Sequence, residues 1–107
     1  MTLYELRTYD IKVGQMPTVT ELYATLGYPA LEAGGFDTNL VGYFISDTGP
    51  LHQLVHLWRF DDDAARRDFW KRLFADEAFM AFVPGIRETF IRQHVQLLQN
   101  APWGPHP

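Results

Sequence analysis

The strongest constraint on this chain is the order in which its apolar residues change period, from two to about 3.6 and back, twice over. Thr2 to Ile11 alternates as a strand, with Leu3, Glu5, Arg7 and Tyr9 on one side and Tyr4, Leu6 and Thr8 on the other. From Gln15 to Ala33, Met16, Val19, Leu22, Tyr23 and Leu26 recur at helical spacing. Pro17 suits the first turn of that helix, Gly27 and Pro29 are expected to kink or split it, and Gly34-Gly35 to end it. Two strands follow, Phe36–Ser46 and Leu51–Phe60, around the turn Asp47-Thr48-Gly49-Pro50. Asp61 is the expected cap of a helix with Ala65, Phe69 and Leu73 on its buried stripe. Asp76 caps a shorter helix carrying Phe79, Phe82 and Val83, which Pro84-Gly85 is expected to stop. Glu88 to Leu98 reads as a last strand.

Strand, helix, strand, strand, helix, strand is the pattern of an α+β ferredoxin-like sandwich, an antiparallel sheet with both helices on one face. With 107 residues, 47% of them hydrophobic, one core is feasible without staples. Residues 2–99 form the expected domain. Residues 100–107 form a tail with too many prolines for regular structure, expected to run over the surface or onto a neighbour.

Several function classes drop out. The absence of cysteine removes disulfides, thiolate nucleophiles and Cys-ligated metal centres. A net charge of −4 with scattered Arg and Lys gives no phosphate-tracking stripe, so nucleic acid is not an expected partner. The longest apolar stretch, Leu40 to Ile45, is too short for a membrane span, and no signal-peptide pattern opens the chain. A cytoplasmic location is the expectation. His52 and His56 share a strand face but stand about 13 Å apart along it, too far for one ion, so no metal is expected.

If Leu6, Val55 and Leu57 lie under the helices, then Glu5, Arg7, Tyr9, His52, His56, Trp58 and Phe60 face away from them. A face that aromatic invites burial against a second copy, yet its charges would be costly in a dry interface. A homodimer with a polar, aromatic-lined hollow between two sheets reconciles the two demands.

These residues also carry a family resemblance. Tyr4-Glu5-Leu6-Arg7-Thr8-Tyr9 with Gly14, then Val41-Gly42-Tyr43-Phe44, then Gly49-Pro50-Leu51-His52-Gln53-Leu54-Val55-His56-Leu57-Trp58-Arg59-Phe60 resemble the NIPSNAP family over nearly the whole chain. Val13 departs from a proline and His52 from an asparagine that the family tends to have, the second with an expected effect on pocket chemistry. The resemblance implies a dimeric α/β barrel, in a superfamily holding small cofactor-free monooxygenases, lactone isomerases, aldoxime dehydratases and haem-handling proteins.

Candidate catalytic residues are His56, which titrates near neutrality, Arg7, able to grip a carboxylate, enolate or phenolate, and Glu5, able to orient His56. Tyr9, Trp58, His52 and Phe44 are the candidate walls for an aromatic or hydrophobic ligand. The expected function is a small-molecule pocket serving a cofactor-independent enzyme of proton-transfer, isomerase or monooxygenase type. The alternative is a non-catalytic module binding a ligand, a protein or haem, the last through His56 or His52, although no motif demands it.

Overall fold

A computed structural model describes residues 1–107. Four strands, β1 (Leu3–Ile11), β2 (Leu40–Ile45), β3 (Gln53–Phe60) and β4 (Phe90–Gln99), form one antiparallel sheet in the order β2-β3-β1-β4. Helices α1 (Met16–Leu22) and α2 (Tyr28–Ala33) make the first crossover, and α3 (Asp63–Leu73) with α4 (Glu77–Arg87) the second. This is the ferredoxin-like arrangement. No helix is long and apolar enough to cross a membrane.

The sheet faces are the reverse of those expected. Glu5, Tyr9, Leu54, His56, Trp58 and Phe60 are buried, whereas Leu6, Val55 and Leu57 are only half-buried on the other side. The register explains the grouping, since Glu5 pairs with Trp58, Arg7 with His56 and Tyr9 with Leu54. Apolar area decides the outcome. Large rings on β1 and β3 meet Phe69, Leu73, Phe79 and Phe82 from the helices in two adjoining clusters, which smaller aliphatics would fill less well. The histidine- and tryptophan-bearing surface is therefore covered by the chain's own helices, not by a partner.

As expected, the helix is divided before Pro29, but by a change of helical type and not by a loop. Tyr23–Gly27 widens into a π-helical turn in which the Tyr28 N–H reaches back to the Tyr23 carbonyl. Pro29 has no N–H for the Thr25 carbonyl, and one extra residue in the turn accommodates that loss. Gly27 is needed there for another reason: a β-carbon on it would sit 2.6 Å from the Phe82 ring of α4.

Other boundaries move as well, β3 starting at Gln53 and β4 at Phe90. Phe36–Asn39 is a short 3₁₀ turn that buries Phe36, so β2 starts only at Leu40. Asp62, not Asp61, caps α3 by accepting from the Ala65 N–H at 2.7 Å, while Asp76 caps α4 from Phe79 as expected. Pro84 lies inside α4 and does not stop it. Burial of Ile86 beside Phe82 and Val83 carries the helix onward until Thr89 closes it by donating to the Ile86 carbonyl. The tail folds back, and Tyr4 donates from its hydroxyl to the Pro107 carbonyl.

Candidate functional site

Glu5 has no exposed side-chain surface, yet its carboxylate is well satisfied. Arg7 Nη1 donates to Oε2 at 2.9 Å, Arg66 Nη1 to Oε1 at 2.8 Å and Trp70 Nε1 to Oε1 at 3.2 Å. Arg66 and Trp70 stand four residues apart on α3 and so share one helix face. A buried carboxylate alone would be costly, but two guanidinium groups and an indole offset that cost. The network also fixes Arg7, whose Nε donates to the Tyr9 hydroxyl at 2.9 Å and whose guanidinium lies 4.4 Å from the Trp70 ring centroid.

Arg7 borders a cavity of about 130 Å³ between the sheet and helices α3 and α4. Its walls include Tyr9, Tyr23, Tyr43, His56, Trp58, Phe79 and Phe82, and Arg87 and Gln93 also line it. The His56 ring lies 4.3 Å from Tyr43 and 4.9 Å from Tyr9, with the Tyr23 hydroxyl 3.4 Å from its Nε2. Burial, and then the charge of Arg7, pulls the His56 imidazole down to about 3. It is therefore neutral around pH 7. Burial pushes the phenols of Tyr9, Tyr23 and Tyr43 upward, so all three stay protonated. Trp58 is buried with no acceptor for its Nε1–H. On the far side of Tyr23 and Tyr43 lies a second, almost wholly apolar pocket of about 270 Å³, bordered by Val19, Ala24, Ile45 and Leu54.

The NIPSNAP family model matches residues 4–105. The chain belongs to the NIPSNAP family. It is 30% identical to Protein NipSnap homolog 2 of Danio rerio over 94% of its own length, and spans 35% of that relative's length. Among solved structures it resembles a NIPSNAP family protein of unknown function from Agrobacterium tumefaciens, with 31% identity, a TM-score of 0.88 and coverage of 97% of this chain and 92% of that one. A structure of an antibiotic biosynthesis monooxygenase matches at 22% identity and a TM-score of 0.65, covering 94% of this chain and 99% of the other. That likeness concerns the fold.

Set on this NIPSNAP frame, four of the expected site residues, Arg7, Tyr9, His56 and Trp58, meet at the cavity. The cavity where they meet lies within the single chain, between its sheet and its helices. Glu5 sits behind Arg7, its oxygens engaged by Arg7, Arg66 and Trp70, and makes no hydrogen bond to His56. Phe44 pairs with Val55 on the opposite sheet face and is 55% exposed, so it lines no part of the cavity.

His52 is also absent from the cavity. It precedes β3 with a left-handed φ of 60°, and its carbonyl accepts from the Ile11 N–H at 2.7 Å. Asparagine and histidine tolerate that conformation better than most residues. The role the structure gives His52 is thus one of backbone geometry, and its side chain lines no part of the cavity. A haem does not fit the donor set either. His52 lies outside, His56 is enclosed by Tyr9, Tyr23 and Tyr43, and the space at His56 holds about one ring. No three His, Cys, Asp or Glu side chains converge as a metal site.

Sequence reasoning missed Tyr23, Tyr43, Arg66, Trp70 and Arg87. The spacing of Arg66 and Trp70, interleaved with the buried Phe69 and Leu73, was the available signal.

Proposed function

We propose that this NIPSNAP protein binds a small, flat, single-ring compound in the cavity between its sheet and its helices. One observation carries the reading: about 130 Å³ of space, walled by aromatic rings, with Arg7 held in place at its edge. A cavity of roughly 150 Å³ accommodates benzene, so one ring matches the volume and a fused polycycle exceeds it. Glu5, Arg66 and Trp70 preorganise Arg7, leaving its Nη2 for a ligand oxygen.

Proton transfer is a second reading, favoured by His56 lining the cavity as a free base. Turning it into an imidazolium is opposed by burial and by Arg7. It accepts a proton only beside a ligand whose negative charge offsets Arg7. Self-association belongs to the same proposal. β4 is a ten-residue edge strand with Ile91, Val95 and Leu97 exposed, and such edges favour pairing. Light scattering on a gel-filtration peak tests this part: a dimer mass supports it and a monomer mass at working concentration refutes it.

Ligand binding is tested by thermal unfolding with saturating phenol. Selective binding to the native state raises the Tm. Val83→Phe, filling the cavity wall, should abolish that rise while leaving the far-ultraviolet circular dichroism unchanged. An unmoved Tm in the parent protein, or an equal rise in a folded Val83→Phe variant, refutes the proposal.

A further inference from the structure

We infer that the ligand is an anion, a single-ring carboxylate or enolate whose oxygens are received by Trp58 Nε1 and Arg7, with Arg87 attracting it at the cavity's edge. This deepens the reading of the cavity as a ligand site and rests on it. Two independent observations carry it.

The first is charge. The charged side chains lining the cavity are Arg7 and Arg87, and no carboxylate joins them. Glu5 neutralises Arg7 only in part, because Arg66, which also pairs with Asp63 outside the cavity lining, draws on the same carboxylate. Arg87, in the last turn of α4, is exposed and enters none of the ion pairs of the fold. It nonetheless lines the same cavity as Tyr9. His56 contributes no positive charge while neutral, and the three phenols contribute no negative charge. The chamber is thus net cationic inside a chain whose overall charge is −4. Low-dielectric walls focus that local field on whatever occupies the space.

The second observation is the Trp58 indole. The residue is 1% exposed, lines the cavity, and has an N–H with neither solvent nor a protein acceptor. Buried donors without partners are rare in folded proteins, and each one calls for an explanation. Trp70 on α3, its ring centroid 5.3 Å from that of Trp58, has Glu5 as its acceptor. An oxygen of the ligand gives Trp58 the equivalent partner. Donors are plentiful in this chamber, whereas negatively charged acceptors are lacking. A carboxylate or enolate oxygen fits that inventory better than an amine or a neutral amide does.

The test uses benzoate and benzamide, which match in size and differ in charge, with ¹⁵N-labelled protein and the three indole N–H signals as reporters. A Trp58→Phe variant assigns the Trp58 signal. Benzoate is expected to shift it downfield and to bind roughly tenfold or more tightly than benzamide, the scale of a charge-assisted hydrogen bond. Arg87→Gln, at an exposed position, should weaken benzoate several-fold and leave benzamide unchanged. Equal binding of the two compounds, or benzoate binding that shifts His56 and Tyr43 resonances without moving the Trp58 indole, overturns the anion assignment alone. If neither compound binds, the cavity reading falls with it.

Discussion

Replacing His56 with glutamine should flatten the acid side of the stability profile. In the folded protein, burial and Arg7 hold the imidazole down at about 3, against 6.5 for an unperturbed histidine. The groups facing it are Arg7 and Tyr9 from β1, Tyr23 from the π-helical turn and Tyr43 from β2, and none supplies a negative charge near neutrality. Between those two pH limits the unfolded chain binds a proton that the native chain excludes. Stability contributed by the neutral ring is therefore complete above about pH 6.5 and is lost progressively as pH falls toward 3.

Lowering the pH from 7 to 5 should remove about 2 kcal/mol through this one residue. Urea unfolding at half-unit pH steps measures the effect in the parent and in His56→Gln. His52, His94, His106 and the carboxylates paired with arginine, Glu5, Asp10, Asp63 and Asp68, are present in both proteins and cancel in the difference. The difference curve should slope by roughly 1.4 kcal/mol per pH unit below pH 6. Parallel profiles, whatever their offset, would show that His56 is not buried as a neutral ring, and the argument from its environment would fail.

Four other outcomes follow from named contacts. Glu5→Gln leaves Arg7 and Arg66 without their shared anion and should cost about 3 kcal/mol in urea unfolding, near the range for breaking buried pairs. Gly27→Ala drives a methyl into the Phe82 ring and should cost about 1–3 kcal/mol, with a lowered Tm as the readout. At the left-handed His52, a valine should destabilise by about 1–2 kcal/mol, whereas asparagine should be neutral within about 0.5 kcal/mol and leave ligand affinity unchanged. Tyr43→Ala removes part of the wall between the cavity and the apolar pocket beyond it, so the variant should gain affinity for two-ring acids, read by calorimetry.

The element order was legible because hydrophobic period survives in a single sequence, and it sufficed for the ferredoxin-like topology. The composition of the site was legible too: residues at i, i+2 on β1 and β3 must share a face, and Arg7, Tyr9, His56 and Trp58 do. Which face was not legible. Alternation specifies partners on a face but not its direction, and Glu5 and Arg7 looked too expensive to bury until Arg66 and Trp70 on α3 supplied their counterparts. Those counterparts lie some sixty residues away, beyond the reach of any local pattern.

Local rules failed where tertiary burial outweighed them. Pro84 reads as a stop, yet Ile86 and Thr89 carry the helix past it. Pro29 does divide the helix, yet through a π-helical turn and not a loop. At His52 the signal was present but misassigned: a histidine shortly after the Gly49-Pro50 turn can mark a left-handed backbone as well as chemistry.

A crystal structure of the protein grown with benzoate decides whether the proposed ligand site lies beneath the helices of the chain. The ring is expected among Tyr43, Phe79 and Phe82, with carboxylate oxygens within hydrogen-bond distance of Trp58 Nε1 and Arg7 Nη2. Benzoate found instead on the outer sheet face, beside Val55 and Phe44, would contradict it.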